Sequence, residues 1–518
     1  MESKASINKV GREIPNYIEG YGKTTPYKGV FEGEIKGRKY APLKTGSRPG
    51  DNKLLSSLKE AIEKSELKDG MTISFHHHLR NGDYVLNMVM NVIAEMGLKD
   101  LTICASSITK AHESLVDHIK NGVVTGLETS GLRGKIAKEI AENNILRKPV
   151  IFRSHGGRAR AIEAGEVVID VAFVAAPACD PMGNLNGMEG KSAFGAIGYP
   201  LVDVKYAEKV IAITDNLVPF PLNNISISMS DVDYVVEVDE IGDPSKIATG
   251  ATRVTKNPLE LLIAEKAANV LIQSGIVKEG FSFQAGSGGA SLAVCKFLRN
   301  HMENNNITGS FAAGGSTAYL VDLMKDGLFK AILDIQTLDS AAVGSLIENP
   351  NHIEMSASTY ANPHNKACSA HQLDIMVLSA TEIDTDFNIN SLTGSNGMIM
   401  GALGGAPDTA AGAKLTIVVA PTMRKRIPIV VDKVTNVVTP GETIDILVTE
   451  RGICINPKRT DLIKILKDKI NLISIEELKD KIEHLTAKGN KPEYLDTIVG
   501  IVEYRDGTII DVIKQVKM

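Results

Sequence analysis

SFHHHLRNGDYVLNMVMNVIAEMGLKDLTICASS, residues 74–107, meets an ungapped counterpart 208 residues later, SFQAGSGGASLAVCKFLRNHMENNNITGSFAAGG, residues 282–315. Ser74–Phe75 falls on Ser282–Phe283, and the loop His76–Gly82 falls on Gln284–Ala290. Val85, Leu86, Val89 and Met90 fall on Ala293, Val294, Phe297 and Leu298. All of these are apolar, and their i, i+1, i+4, i+5 spacing describes one buried helix face. Leu101–Ser107 falls on Gly309–Gly315, a strand ending in a small-residue turn. The repeated unit is strand–loop–helix–strand, and a pattern preserved without a gap points to duplication.

Outward from the repeat, strands and helices keep alternating. Val167–Ala176, Val210–Thr214 and, apart from Glu237, Tyr234–Val238 are apolar runs of the kind buried on both faces of a parallel sheet. The expected fold class is α/β, with two tandem domains of mostly parallel sheet flanked by helices. A chain of 518 residues exceeds a single core. A boundary falls near 245–258, where Asn257–Pro258 has the form of a helix start. The resulting division is an N-terminal extension (1–50), a first domain (51–250) and a second domain (251–518). The second domain closes in a helix-rich tail with a hairpin at Asp506–Gly507.

The net charge of −5 offers no electrostatic footprint for nucleic acid. The start, MESKASINKVGREIP, lacks the apolar segment of a secretory signal. No run approaches the roughly 20 apolar residues of a membrane span. A cytoplasmic, non-membrane protein is expected. The five scattered cysteines, with no CxxC pair, read as buried reduced thiols.

Several segments could carry chemistry. In Phe283–Ser291 a strand enters Gly286, Gly288 and Gly289 and then a helix, so backbone N–H groups could face a phosphate, a carboxylate or an oxyanion. Gly401–Gly412 offers Gly404 and Gly405 in the same way, with Asp408 close behind. In His76–Asp83 the imidazoles of His76, His77 and His78 and the guanidinium of Arg80 replace those glycines. They suit an anionic substrate better than a metal, since no companion ligand cluster lies nearby in sequence. Arg133, Arg158 and Arg160 are candidate bidentate clamps for carboxylate or phosphate. Ala175–Gly187 is full of turn formers, and its Cys179 has no neighbouring base.

Taken in order, FQAGSGGAS, the turn at Ala312–Gly315, GALGGAPD and VTERGICINP (Val448–Pro457) resemble the second half of the coenzyme A transferase superfamily. VAFVAAPACDPMGNLNG (Val171–Gly187) resembles its first half. With FHHHLRNGD, SHGGRARAIEAGE and GSNGMIMGALGGAPDTAAGAK, nearly the whole chain resembles citrate lyase α subunits. The resemblance implies two CoA-transferase-like domains and an acyl exchange on a partner protein. Acetyl-acyl-carrier-protein and citrate would give citryl-acyl-carrier-protein and acetate. The implied partners are the acyl carrier (γ) subunit, the citryl lyase (β) subunit and citrate, within a large hetero-oligomer. No cofactor would be covalently bound to this chain; the carrier would bear a coenzyme-A-like phosphopantetheine group, for which acetyl-CoA can stand in.

One departure from the superfamily matters. Where many CoA-transferases place a nucleophilic Glu, Gly309–Thr317 contains no acid. A citrate carboxylate would therefore attack the thioester directly, through a mixed anhydride. Gly286, Gly288, Gly289, Gly404 and Gly405 would hold the oxyanion, and Arg80, Arg133 and Arg158, helped by His76 to His78, would hold citrate. Competing readings are a transferase or hydrolase using free CoA, a citramalate lyase α subunit, and a non-catalytic scaffold.

Overall fold

The computed structural model describes residues 5–30, 32, 52–248, 254–286, 289–486 and 492–517. Its centre is a pair of parallel sheets. The first contains β1 (Thr72–Phe75), β2 (Leu101–Ala105), β3 (Val124–Thr129), β4 (Val150–Arg153), β5 (Val171–Ala176), β6 (Lys209–Thr214) and β7 (Tyr234–Glu237). The second contains β8 (Phe283–Ala285), β9 (Gly309–Ser316), β10 (Phe329–Thr337), β11 (His352–Glu354), β12 (Ile375–Leu378), β13 (Leu415–Val419) and β14 (Ile446–Val448).

Across the first sheet the order is β4-β3-β2-β1-β5-β6-β7, and across the second β11-β10-β9-β8-β12-β13-β14. The two orders are the same when each set is counted from its own first strand. Adjacent strands in both series are parallel. The offset of 208 carries α1 (Val85–Glu95) into α4 (Gly289–Asn305) and β2 onto β9. Val85, Leu86, Val89 and Met90 are buried, as are Ala293, Val294 and Leu298, while Phe297 is partly buried against the second core. The α/β class and the mostly parallel sheets are thus as the sequence leads one to expect.

In each sheet the chain runs outward from the first strand and then returns to its other side at the fifth. Such a reversal opens a crevice at the carboxyl ends of the strands. The crevice in the first sheet lies between β1 and β5, above His76–Gly82. In the second it lies between β8 and β12, above Gly286.

The edges depart from a linear division. Helices at Thr460–Leu466 and Ile475–Glu483 follow the second sheet, and a turn falls at Asp506–Gly507. However, its two strands, β15 (Tyr494–Glu503) and β16 (Ile509–Val516), leave the second domain, and β15 pairs in parallel with β4 of the first sheet. Residues 5–30 of the extension lie over this hairpin. Ile14 and Ile18 pack on Ile501 and Ile509, and Asn8 Nδ2 donates to Ile510 O at 2.7 Å. All five cysteines are buried and free. Among the described residues no helix is long and apolar enough to cross a membrane.

Candidate active site

The carboxyl ends of the two sheets face one another across a cavity of about 420 Å³, within the usual size of a small-molecule site. His77 and Arg80 approach from the loop after β1, Ser106 from the end of β2, Ser130 and Arg133 from that of β3, and His155 from that of β4. The second half contributes Gln284 and Gly286, Gly315 and Thr317, and Gly404 and Gly405. The halves are zipped together beside the cleft. Leu132 N donates to Gly401 O at 3.0 Å and Leu403 N to Ser130 O at 2.8 Å. A Cβ on Gly131 would stand 2.3 Å from that of Ala402, so this approach requires glycine. Asp408 accepts from Ser154 Oγ at 2.8 Å and Gly156 N at 2.9 Å, tying the start of α2 (His155–Glu163) to α5 (Ala406–Gly412).

The expected residues separate into two groups. Arg80 and Arg133 line the cleft and, among the described residues, neither has an ion-pair partner. Arg80 takes φ +56°, and one terminal nitrogen, Nη1, is buried without a hydrogen bond. Burial, and then the charge of Arg133, lower its pKa. Two close, unneutralised guanidiniums are what a polycarboxylate can relieve.

Arg158 belongs to the other group. Its Nη1 and Nη2 donate to Asp203 Oδ1 and Oδ2, each at 2.7 Å, inside the protein. Burial alone would lower its pKa, and Asp203 reverses this, so the arginine is an internal cation and not the expected clamp. His76 donates through Nε2 to the same Asp203 at 2.8 Å. His78 is buried and stacked on Phe194, ring centroids 4.5 Å apart. Neither lines the cleft. Arg160 is likewise spent, on Glu166 and Glu503.

Only His77 of the triplet reaches the cleft. Its Nδ1 lies 3.2 Å from Asp83 Oδ2, on which His112 Nε2 also converges at 3.1 Å. These groups have the spacing of a metal site. In this structure hydrogen bonds join them. Thr109 N–H donates to His112 Nδ1, so Nε2 of that neutral ring carries the proton and points it at Asp83. Burial raises the pKa of Asp83, and the two histidines more than reverse this, keeping it ionised.

The glycines also divide. Gly286 lines the cleft, but its N–H donates to Val377 O at 2.8 Å and is not free for an oxyanion. Gly288 lies outside the described residues, and Gly289 heads α4. Gly404 and Gly405 line the cleft, and neither N–H has a partner among the described residues. Gly404 has φ +56°, and a Cβ on Gly405 would lie 2.3 Å from the Tyr360 hydroxyl.

Of the acid-free turn, Gly315 and Thr317 line the cleft. The carboxylate of Asp334 on β10 faces inward, accepting from Ser316, Gln336 and Thr337. No Asp or Glu occurs among the described cleft residues. Residues outside the candidate set also line it, among them His155, Tyr199 and Arg424. His155 lies within SHGGRAR close to Arg158 and Arg160, and burial, then Arg158, lower its pKa to about 3. Tyr199 carries no sequence signal. Arg424 opens the cationic run Arg424–Arg426, which could have marked it.

Paired doubly wound sheets with a cleft between their carboxyl ends define a CoA-transferase-like fold. The same fold occurs in a 4-hydroxybutyrate CoA-transferase from Porphyromonas gingivalis, 16% identical with a TM-score of 0.53, covering 84% of this chain and 98% of that one. A Pseudomonas malonate decarboxylase shares it at 17% identity and TM-score 0.64, covering 84% and 87%. Within that class, the family model for the citrate lyase alpha subunit matches residues 51–516, and the chain belongs to that family. It is 53% identical to the citrate lyase alpha chain of Haemophilus influenzae, over 90% of this chain and 93% of that one. The chain of Klebsiella pneumoniae is 51% identical, covering 95% and 96%. A Streptococcus mutans structure, described as the alpha subunit of citrate lyase in complex with citrate, is 52% identical, with a TM-score of 0.95 and coverage of 99% and 100%.

Proposed function

We propose that this chain exchanges acetyl for citryl on an acyl carrier thiol by direct attack of citrate, with no acyl-enzyme. The observation that carries this reading is a cleft with arginines at its wall and no carboxylate among its described residues. A glutamyl thioester needs an acid in the cleft. A citrate carboxylate needs a cationic berth and space, and it is already ionised at neutral pH.

In the first step a citrate carboxylate oxygen bonds to the acetyl carbonyl carbon and the carbon–sulfur bond breaks, giving a mixed anhydride and a thiolate. The thiolate then attacks the citryl carbonyl of the anhydride, the carbon–oxygen bond breaks, and acetate leaves. No net proton is consumed. Arg80 and Arg133 bind citrate carboxylates, and the N–H groups of Gly404 and Gly405 face the developing oxyanion. The thiol belongs to a phosphopantetheine-type group on a partner carrier, and a third, lyase subunit would use the citryl thioester within the assembled complex.

The test is to mix the chain with acetylated carrier and citrate and to quench with borohydride or hydroxylamine. Citryl transfer with no acyl group on this chain is expected. A trapped protein-bound acyl group overturns direct transfer. Free acetyl-CoA and water serving as well as carrier and citrate overturn the choice of substrates.

A further inference from the structure

We infer that His77 Nε2 is the acceptor for the citrate hydroxyl and is the group that tells citrate from a tricarboxylate without one. The inference rests on the reading of the cleft as a citrate site.

Thr109 caps the short helix Lys110–His112, and its N–H donates to His112 Nδ1 at 3.2 Å. A nitrogen that accepts cannot carry the ring proton, so in the neutral ring Nε2 carries it and donates to Asp83 Oδ2 at 3.1 Å. Asp83 stands before α1, where Leu86 N approaches the same oxygen at 3.4 Å, and its carboxylate can only accept. His77 Nδ1, 3.2 Å from that oxygen, must then be the protonated nitrogen. Burial, followed by the nearby His112, lowers the His77 pKa to about 4 against the pull of Asp83, so the ring is neutral at pH 7. Its remaining nitrogen, Nε2, bears a lone pair and has no protein partner.

A buried, unpaired acceptor on a residue that lines a cationic cleft asks for a donor. Fully ionised citrate presents three carboxylates, which only accept, and one hydroxyl, which can donate. The carboxylates match Arg80 and Arg133. The hydroxyl alone matches His77. Gln284 Oε1, Thr317 Oγ1 and His155 Nδ1 are also unpartnered on cleft residues. All three can exchange acceptor for donor, by an amide flip, a hydroxyl rotation or, for His155, a change of tautomer that no hydrogen bond opposes. The ring of His77 cannot, because Asp83 and His112 hold its tautomer. A site that leaves such an acceptor unpaired rejects the analogue lacking the hydroxyl.

The experiment is calorimetric titration of the full chain with citrate and with propane-1,2,3-tricarboxylate, in which hydrogen replaces the hydroxyl. The wild-type protein should bind citrate about 10- to 100-fold more tightly, the cost of one unpaired buried acceptor. In His77→Phe the ratio should fall towards 1, mainly through weaker citrate binding. The wild-type comparison requires no variant and stands if His77→Phe fails to fold. Equal wild-type affinities, or a preference that survives in the variant, overturn the inference while leaving citrate binding in place. If the wild-type protein binds neither acid, the citrate reading itself fails and takes this inference with it.

Discussion

Asp203 grips Arg158 with both carboxylate oxygens at 2.7 Å and takes His76 on the second of them at 2.8 Å, so one buried anion neutralises a cation that SHGGRAR brings into the interior. The pair joins α2 to α3 (Pro200–Tyr206). Removing one partner of a buried ion pair leaves an uncompensated charge, at a cost of about 3–5 kcal/mol. Arg158→Ala should therefore lower the urea midpoint sharply. A variant of wild-type stability with weakened citrate use would show that Arg158 serves the substrate after all.

Arg80 should behave in the opposite way. Its left-handed backbone is unfavourable for an arginine and free of strain for glycine. Arg80→Gly relieves that strain and loosens the unfolded chain, so stability should stay within about 1 kcal/mol. Loss of a charge-assisted contact of about 1.5–3 kcal/mol should raise KM for citrate by about 10- to 100-fold. Steady-state kinetics at varied citrate, beside a denaturation curve, separates the two effects. Arg133→Ala is expected to follow the same pattern.

Two glycines that look alike in sequence should respond differently to alanine. At Gly286 a Cβ would meet nothing nearer than Val377 O at 3.5 Å. At Gly405 it would press the Tyr360 hydroxyl and disturb its hydrogen bond from Gln284. Gly405→Ala should reduce kcat at least about tenfold, in line with a displaced oxyanion donor. Gly286→Ala should stay near wild type. Equal loss at both positions would show that the free N–H groups of the Gly404–Gly405 turn have no special part.

Asp408 predicts a pH signature. Burial raises its pKa to about 6, against Arg505 and the donors Gly156 and Ser154. The unfolded carboxyl titrates near 3.9. Between about pH 4 and 6 the folded protein therefore holds a proton that the unfolded chain lacks. This contribution is fully present below the unfolded pKa and is lost as pH rises through about 6. Asp408→Asn abolishes it. The wild-type protein should gain on the variant by about 1 kcal/mol in going from pH 8 to pH 5, measured by urea unfolding. A gap that is flat with pH would show that the carboxyl is ionised throughout.

The ungapped repeat exposed the architecture because burial acts on every helix turn: Val85, Leu86, Val89 and Met90 must be apolar whatever the loops do. The same repeat led to the cleft, since it aligned the loops that follow the two first strands. Pairings over long separations were hidden. Nothing in SHGGRAR says that Arg158 meets an aspartate 45 residues later. Nothing in FQAGSGGAS says that the Gly286 N–H is taken by Val377. The hairpin at Asp506–Gly507 was legible from its turn, but the sheet it joins depends on β4, some 350 residues earlier. Arg424 has no distinguishing signal in the sequence beyond its cationic run, and a run of exposed cations usually means only a solvated surface.

The placement of that hairpin governs how the protein can be made. When the ribosome has delivered the first sheet, β4 still has a bare edge, and Arg153 still lacks Glu503, its partner 350 residues downstream. An exposed edge of a slowly closing parallel sheet invites pairing with another chain. The N-terminal residues that will lie over the hairpin have no seat until it arrives. The first domain thus emerges early and is sealed last, so loss of the final 25 or so residues would damage the beginning of the chain more than its end.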